Sequence, residues 1–221
     1  TGSGKSTTLA SMLHEINLTQ NKHIITIEDP VEFMHTNIKS LFSQREVGQN
    51  TNSFATALKF ALRQDPDVIL IGEMRDKETI AAALTAAETG HIVFATLHTN
   101  SASSTINRII DVFDAGEQAQ VRAQLASSLI SVISQSLMPR IGGGIVATQE
   151  VLITNPAIQN LIREDKVHQI YSQMQLNQNE TNMTTQTDQL LVLLRKKVIS
   201  KEVAITASNR PEELMKIIHN M

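Results

Sequence analysis

The chain begins Thr1-Gly2-Ser3-Gly4-Lys5-Ser6-Thr7-Thr8. Gly4-Lys5-Ser6 occupies the last three places of the pattern G-x-x-x-x-G-K-[ST], whose first glycine would lie upstream of Thr1. Small residues let successive backbone N–H groups curl around phosphate oxygens, and the helix that follows turns its positive end toward them. Lys5 is expected to reach the β- and γ-phosphates of a bound nucleotide, and Ser6 to hold Mg²⁺. Thr1, Gly2, Ser3, Gly4, Lys5, Ser6 and Thr7 form the candidate nucleotide-binding set. A Gly/Ser linker has a similar composition, but it is not followed at once by an amphipathic helix. The strand that feeds such a loop would precede Thr1, so the sequence reads as a fragment.

A helix from Lys5 to about Gln20 carries Leu9, Met12, Leu13 and Ile16 at helical spacing. The run from His23 to Ile27 reads as a strand that ends in Glu28-Asp29-Pro30. Phe33 to Gly48 reads as an excursion with one or two strands. Ser53 caps a helix with Phe54, Ala57, Leu58, Ala61 and Leu62 on one face. Asp67 to Glu73 is a second buried strand with an acidic end. Lys77 to Glu88 is helical and stops at Gly90, and His91 to His98 reads as a third buried strand. Strands alternating with helices imply a mostly parallel sheet covered on both faces.

Beyond about Ser101 the pattern changes. One helix is expected from about Ala102 to Val112. A long one follows from about Glu117 to Leu137, with Val121, Leu125, Leu129, Val132 and Ile133 as its apolar stripe. Arg140 to Ile153, broken by Gly142-Gly143-Gly144, reads as a hairpin. From Asn155 on only helices and polar joints are expected, with a loop at Asn177 to Thr187. The boundary therefore falls between residues 1–153, the α/β core, and residues 154–221, a helical C-terminal region.

Composition narrows the function. The formal net charge is -3 and aromatics make up 3%, with one Tyr and no Trp. Neither an overall basic footprint nor base-stacking rings point to nucleic acid, so no nucleic-acid partner is expected. There is no cysteine, which excludes disulfides and Cys-based zinc sites. No apolar run approaches the roughly 18 residues of a membrane span.

Acidic and histidine-bearing strand ends follow the loop in order. Glu28 is a candidate to orient or deprotonate an attacking water. Glu73, after four apolar residues and a glycine, stands where a carboxylate would hold Mg²⁺ through water. His91 and His98 bracket the third strand, where an imidazole could sense or donate to a γ-phosphate. A solvated glutamate and a hydrogen-bonded structural histidine are the plain alternatives for each residue taken singly. Arg75 and Arg108 lie near these segments; Arg75 is the candidate cation for the transition state, with a surface ion pair as the competing reading. His14, His23, His35, His168 and His219 read as surface or packing residues.

Ile27 to Phe33, Leu62 to Asp76, and Glu88-Thr89-Gly90-His91 through Leu97-His98-Thr99-Asn100 resemble the Asp box, Walker B segment and His box of the secretion ATPase superfamily. Within it the chain resembles the type IV pilus retraction ATPases. Ala157-Ile158-Gln159-Asn160-Leu161-Ile162-Arg163-Glu164 is similar to their A-I-R-N-L-I-R-E motif, with Gln159 in place of Arg. The four-cysteine motif that many assembly and secretion members carry is missing.

The resemblance implies a RecA-like P-loop NTPase domain, ATP and Mg²⁺ as ligands, and a homohexameric ring with ATP between neighbouring subunits. It also implies a cytoplasmic location, peripheral at the inner membrane on a pilus platform protein, and a motor that drives twitching motility. A pilus-assembly or type II secretion ATPase, or a non-hydrolysing ring subunit, are the alternative functions.

Overall fold

The computed structural model describes residues 2–176 and 178–220. The fold is mixed α/β with a parallel four-stranded sheet. Two compact units make it up: one comprises Lys5–Leu97 and Val112–Asp114, the other Thr1–Gly4, His98–Asp111 and Ala115–Met221.

In the first unit the elements run α1 (Lys5–Thr19), β1 (His23–Glu28), β2 (Leu41–Glu46), α2 (Phe54–Ala61), β3 (Val68–Ile71), α3 (Lys77–Glu88) and β4 (Ile92–Ala95). The strands pair in parallel in the order β2-β1-β3-β4. Side chains alternate across a strand, and the packing follows that alternation. Ile25, Ile27, Ile69 and Ile71 meet Ala57, Leu58 and Ala61 of α2 and Ala83 and Ala86 of α3. Ile24, Val68 and Leu70 face the other way and meet Leu13 of α1, with Leu9 and Ile16 beside it. β1 and β3 are therefore apolar on both faces, as strands covered by helices must be.

Two local devices fix the helices. Ser53 takes an extended backbone and accepts from Thr56 N at 3.1 Å, capping α2 as expected. Asn17, 1% exposed on α1, accepts from Ile38 N and Ser40 N, both at 3.1 Å, and donates to Thr36 O at 2.8 Å. These three bonds pin the stretch before β2 onto α1. Val112–Asp114 belongs to this unit because Lys77, at the start of α3, pairs with Asp114 at 2.9 Å and lies over the Phe113 ring.

The second unit contains α4 (Ala102–Asp111), α5 (Ala115–Ser128), β5 (Ser131–Pro139), β6 (Ile145–Ile153), α6 (Pro156–Arg163), α7 (Ile170–Met174), α8 (Gln178–Thr181), α9 (Gln186–Arg195), α10 (Lys201–Ala207) and α11 (Pro211–His219). β5 and β6 form an antiparallel hairpin paired from Ser131–Ile153 to Pro139–Ile145. Met138 of β5 joins Leu190 and Leu191 of α9, Ile199, Ala204 of α10 and Leu214 of α11 in one core.

The structure corrects the sequence reading in three places. The helix expected to about Leu137 stops at Ser128, and Val132 and Ile133 belong to β5. Their buried-then-exposed alternation is strand-like, and nine residue pairs with β6 outweigh a helical stripe that only touches at its edges. β4 covers Ile92–Ala95 alone; it is last in the sheet order, and Ile92 is 42% exposed, so it is not the fully buried strand expected. The loop expected over residues 177–187 contains α8, and Thr185 and Asp188 form a capping box that starts α9; residue 177 lies outside the described residues. By compactness the hairpin groups with α9–α11, whose core it shares.

Glu150 is the polar keystone of the second unit. It is 4% exposed on β6, accepts from Ala102 N at 2.7 Å and is also bonded by Gln186 N, so one carboxylate caps the starts of α4 and α9. Burial pushes its pKa above the usual glutamate value, against the pull of those two donors and of Arg210. A carboxyl with a raised folded pKa holds its proton more tightly folded than unfolded. Its contribution is greatest below the ordinary glutamate value and is lost as pH rises through the folded one. Glu150→Gln keeps a carbonyl acceptor and removes that dependence. Urea midpoints of wild type and variant, compared from about pH 4 to about pH 8, should diverge in the variant's favour as pH rises; a constant difference would contradict this account.

Candidate functional site

The carboxyl edge of a parallel sheet is where open α/β folds gather ligand groups, and the first unit gathers polar groups there. Glu28 ends β1. Thr26, two residues earlier and so on the same face, donates its hydroxyl to Glu28 Oε1 at 2.6 Å. Gln44 of β2 is the register partner of Thr26 and therefore points to that face too. Its Nε2 donates to Glu28 Oε1 at 3.3 Å and to Phe33 O at 2.9 Å, while its Oε1 accepts from His35 N at 2.8 Å. Leu70, the register partner of Thr26 on β3, completes the floor.

Against this floor α1 brings Ser6, Leu9 and Ala10. Together with Glu28, Phe33, His35, Leu70, Gly72 and Thr96 they enclose a cleft of about 40 Å³. A water needs roughly 10–15 Å³, so there is room for about three or four. His35 stacks on Phe42 with ring centroids 4.5 Å apart. Burial lowers its pKa below the ordinary histidine value although Glu28 pulls upward; His14 adds to the lowering. At neutral pH this ring is therefore uncharged.

Gly72 explains the glycine in the β3 motif. A Cβ there would lie 3.2 Å from Glu28 Cα and 3.2 Å from Ile27 O, both backbone atoms that cannot swing away. Gly72 N donates to Ile27 O at 2.7 Å. Thr96 then ties the ends of β3 and β4 together, donating its hydroxyl to Gly72 O at 2.5 Å and accepting from Met74 N at 3.0 Å. Glu73 follows directly, and its Oε1 pairs with Arg75 Nε at 2.7 Å. Arg75 is 70% exposed along its side chain and Glu73 19%.

The expected site residues are not all brought together. Ser6 and Glu28 share the cleft. Lys5 is the first residue of α1 and half-buried, and Thr7 is exposed one residue past Ser6. His91 lies elsewhere. It precedes β4, so in a parallel sheet it stands at the amino edge, level with Asp67 and His23 and a strand's length from Glu28. Its Nδ1 sits 2.9 Å from Ala86 O and 3.1 Å from Thr89 Oγ1, closing the end of α3. His98 is exposed, three residues beyond β4 and the first residue of the second unit's middle segment.

The loop residues before Lys5 fall in the second unit. Gly4 has φ +79, a left-handed conformation that favours glycine, and a Cβ there would meet Gln135 Nε2 at 2.8 Å. Gln135 donates to Ser3 O at 2.7 Å, so β5 buttresses the loop backbone. Gly2 also has positive φ. Thr1 lies outside the described residues. Thr26, Gln44 and Thr96 carry no sequence signal, and His35, read from sequence as a surface or packing residue, lines the cleft; only the strand register brings Thr26 and Gln44 beside Glu28.

With this geometry in hand, comparison with known proteins is direct. The profile of the type II/IV secretion system protein family matches residues 1–144. The chain belongs to that family. It is 57% identical over 212 residues to the type IV pilus retractation ATPase PilT of Pseudomonas aeruginosa, covering 96% of this chain and 61% of that protein. It is 56% identical over 215 residues to a twitching motility protein of Neisseria gonorrhoeae, covering 97% and 57%. A crystal structure of the pilus retraction motor PilT with bound ADP superposes with a TM-score of 0.91 at 54% identity, over 97% of this chain and 61% of the other. The chain thus spans about three-fifths of the length of the relatives it matches.

Gly72→Ala tests the close approach on which the site rests. The added methyl must push the β1 and β3 ends apart, and overpacking of this kind costs about 1–3 kcal/mol. Denaturant titration should show the loss; an unchanged midpoint would mean that the strands yield there freely.

Proposed function

We propose that the full-length protein is an ATP-hydrolysing motor that retracts type IV pili. The single observation that supports this most is that Ser6 of the phosphate-loop motif and Glu28 wall one water-sized cleft. The sequence likeness to a retraction ATPase and to a twitching motility protein adds the direction of work.

In this reading Gly2–Gly4 and the first turn of α1 bind the phosphates, and Lys5 neutralises the β- and γ-phosphates. Glu28 orients the attacking water and takes its proton. Arg75 supplies a donor to the charge that develops on the γ-phosphoryl group, after leaving Glu73, and His98 keeps the role that the His-box resemblance implies. His91 is omitted, since it stands at the other edge of the sheet.

Mg²⁺ fits the donors present. Among the described residues no group of three or more His, Asp or Glu forms a metal cage, and Mg²⁺ at nucleotide sites is held chiefly by phosphates and water with one or two protein oxygens. Ser6 and Glu73 are the residues that would hold it. When bound it supplies charge neutralisation on the phosphates. A homohexamer with shared sites, docked from the cytoplasm on an inner-membrane platform protein, completes the proposal. Among the described residues no helix is long and apolar enough to cross a membrane.

The test uses the full-length protein. Lys5→Ala should lose ATP affinity and at least about 100-fold in turnover. Glu28→Gln should bind ATP with near-normal affinity while hydrolysing it slowly. Wild-type turnover in either variant would overturn that residue's role.

A second experiment addresses pilus retraction. On α6, Ile158 and Ile162 are buried while Arg163 and Glu164 are exposed. Changing both exposed residues to Ala should leave ring assembly and most ATP hydrolysis intact and abolish twitching in cells. Normal twitching would reduce this helix end to a solvated surface.

A further inference from the structure

Glu28 is held through one oxygen. Thr26 Oγ1 and Gln44 Nε2 both donate to Oε1, and among the described residues no hydrogen bond is made to Oε2. Gln44 is also the only side chain among these that bonds to the overlying wall as well. Its amide nitrogen reaches Phe33 O, and its amide oxygen takes the His35 N–H. The same wall is pinned from behind by Asn17 through Thr36, Ile38 and Ser40.

We propose that Gln44 is a positioning residue for the hydrolytic step: it fixes the Glu28 carboxylate by Oε1, reserves Oε2 for the attacking water, and sets the Phe33–His35 wall against that oxygen. The proposal rests on the role given to Glu28 above and extends it to a residue outside the loop and strand-end motifs.

The physical argument is one of geometry. A carboxylate at the end of a strand rotates about its side-chain torsions, and a general base off its line by about 1 Å costs on the order of 100-fold. Thr26 alone supplies one donor and leaves the carboxylate free to swing about that contact. A second donor from the neighbouring strand removes this freedom, because Thr26 and Gln44 are fixed to each other by the β1–β2 register. The second and third bonds of Gln44 make the wall and the carboxylate move together, which keeps the cleft at the size of a few waters. The uncharged His35 ring then adds no competing cation to Glu28 at neutral pH.

Two variants of the full-length protein separate this role from a structural one. Gln44→Leu removes every bond. Gln44→Glu keeps the acceptor for His35 N and the side-chain size, but puts an oxygen where the donor to Glu28 was. Both should lower kcat for ATP by about 10- to 100-fold, with KM for ATP and the affinity for a fluorescent ADP analogue within about threefold of wild type. In a Glu28→Gln background Gln44→Glu should cost less than about twofold more, because a positioned group that is already lost cannot be lost twice.

Wild-type kcat in Gln44→Glu would overturn the proposal, as would a loss of ADP affinity in proportion to kcat or full additivity with Glu28→Gln. If Gln44→Leu does not fold, the Gln44→Glu result decides. Should Glu28→Gln by itself turn over at the wild-type rate, the catalytic reading of Glu28 fails first. A slow Glu28→Gln with a fast Gln44→Glu sinks only the role of Gln44.

Discussion

The pairing of β1 with β3 is the constraint on which the first unit depends. The register from Ile24–Val68 to Ile27–Ile71 sets both strands flush at their carboxyl ends. Both are buried on their two faces, so a slip by one residue would put Thr26 and Glu28 among the alanines of α2 and α3. At the end of the pair the backbones come so close that a Cβ at position 72 would press on two backbone atoms at 3.2 Å. Everything polar at that edge inherits its place from this contact, from the Thr96 tie to the Ser6 side of the cleft.

Buried polar groups recur where an apolar contact would not specify an angle. Asn17 satisfies three backbone partners at once, and Glu150 holds two helix starts. Each such group is costly if left unpaired and specific when paired. Glu28 follows the same logic with one difference. Its partners gather on one oxygen, so the group is oriented without being consumed.

Much of this was legible in the chain. The β1 and β3 runs are apolar with acidic ends, and the strand–helix alternation fixes a parallel sheet. Ser53 announced α2. Other parts were illegible for physical reasons. Val132 and Ile133 fit a helical stripe and a strand equally well over a short window, and only the distant partner β6 decides between them. His91 and His98 look equivalent as brackets of one strand, but a parallel strand carries its two ends to opposite edges of the sheet. Gln44 has no local signature at all. It matters because of a neighbour eighteen positions earlier, Thr26, and a register that no short window contains.

The size of the cleft beside Glu28 has a consequence for the choice of phosphate acceptor. Phosphate-loop folds serve kinases as well as hydrolases, and the two differ in what is allowed to approach the γ-phosphoryl group. In the ATPase proposed above, a cleft of about 40 Å³ lined by Phe33, His35 and Leu70 beside Glu28 would favour water over a bulkier acceptor. Discrimination of this kind needs no recognition of a substrate. It is exclusion by volume.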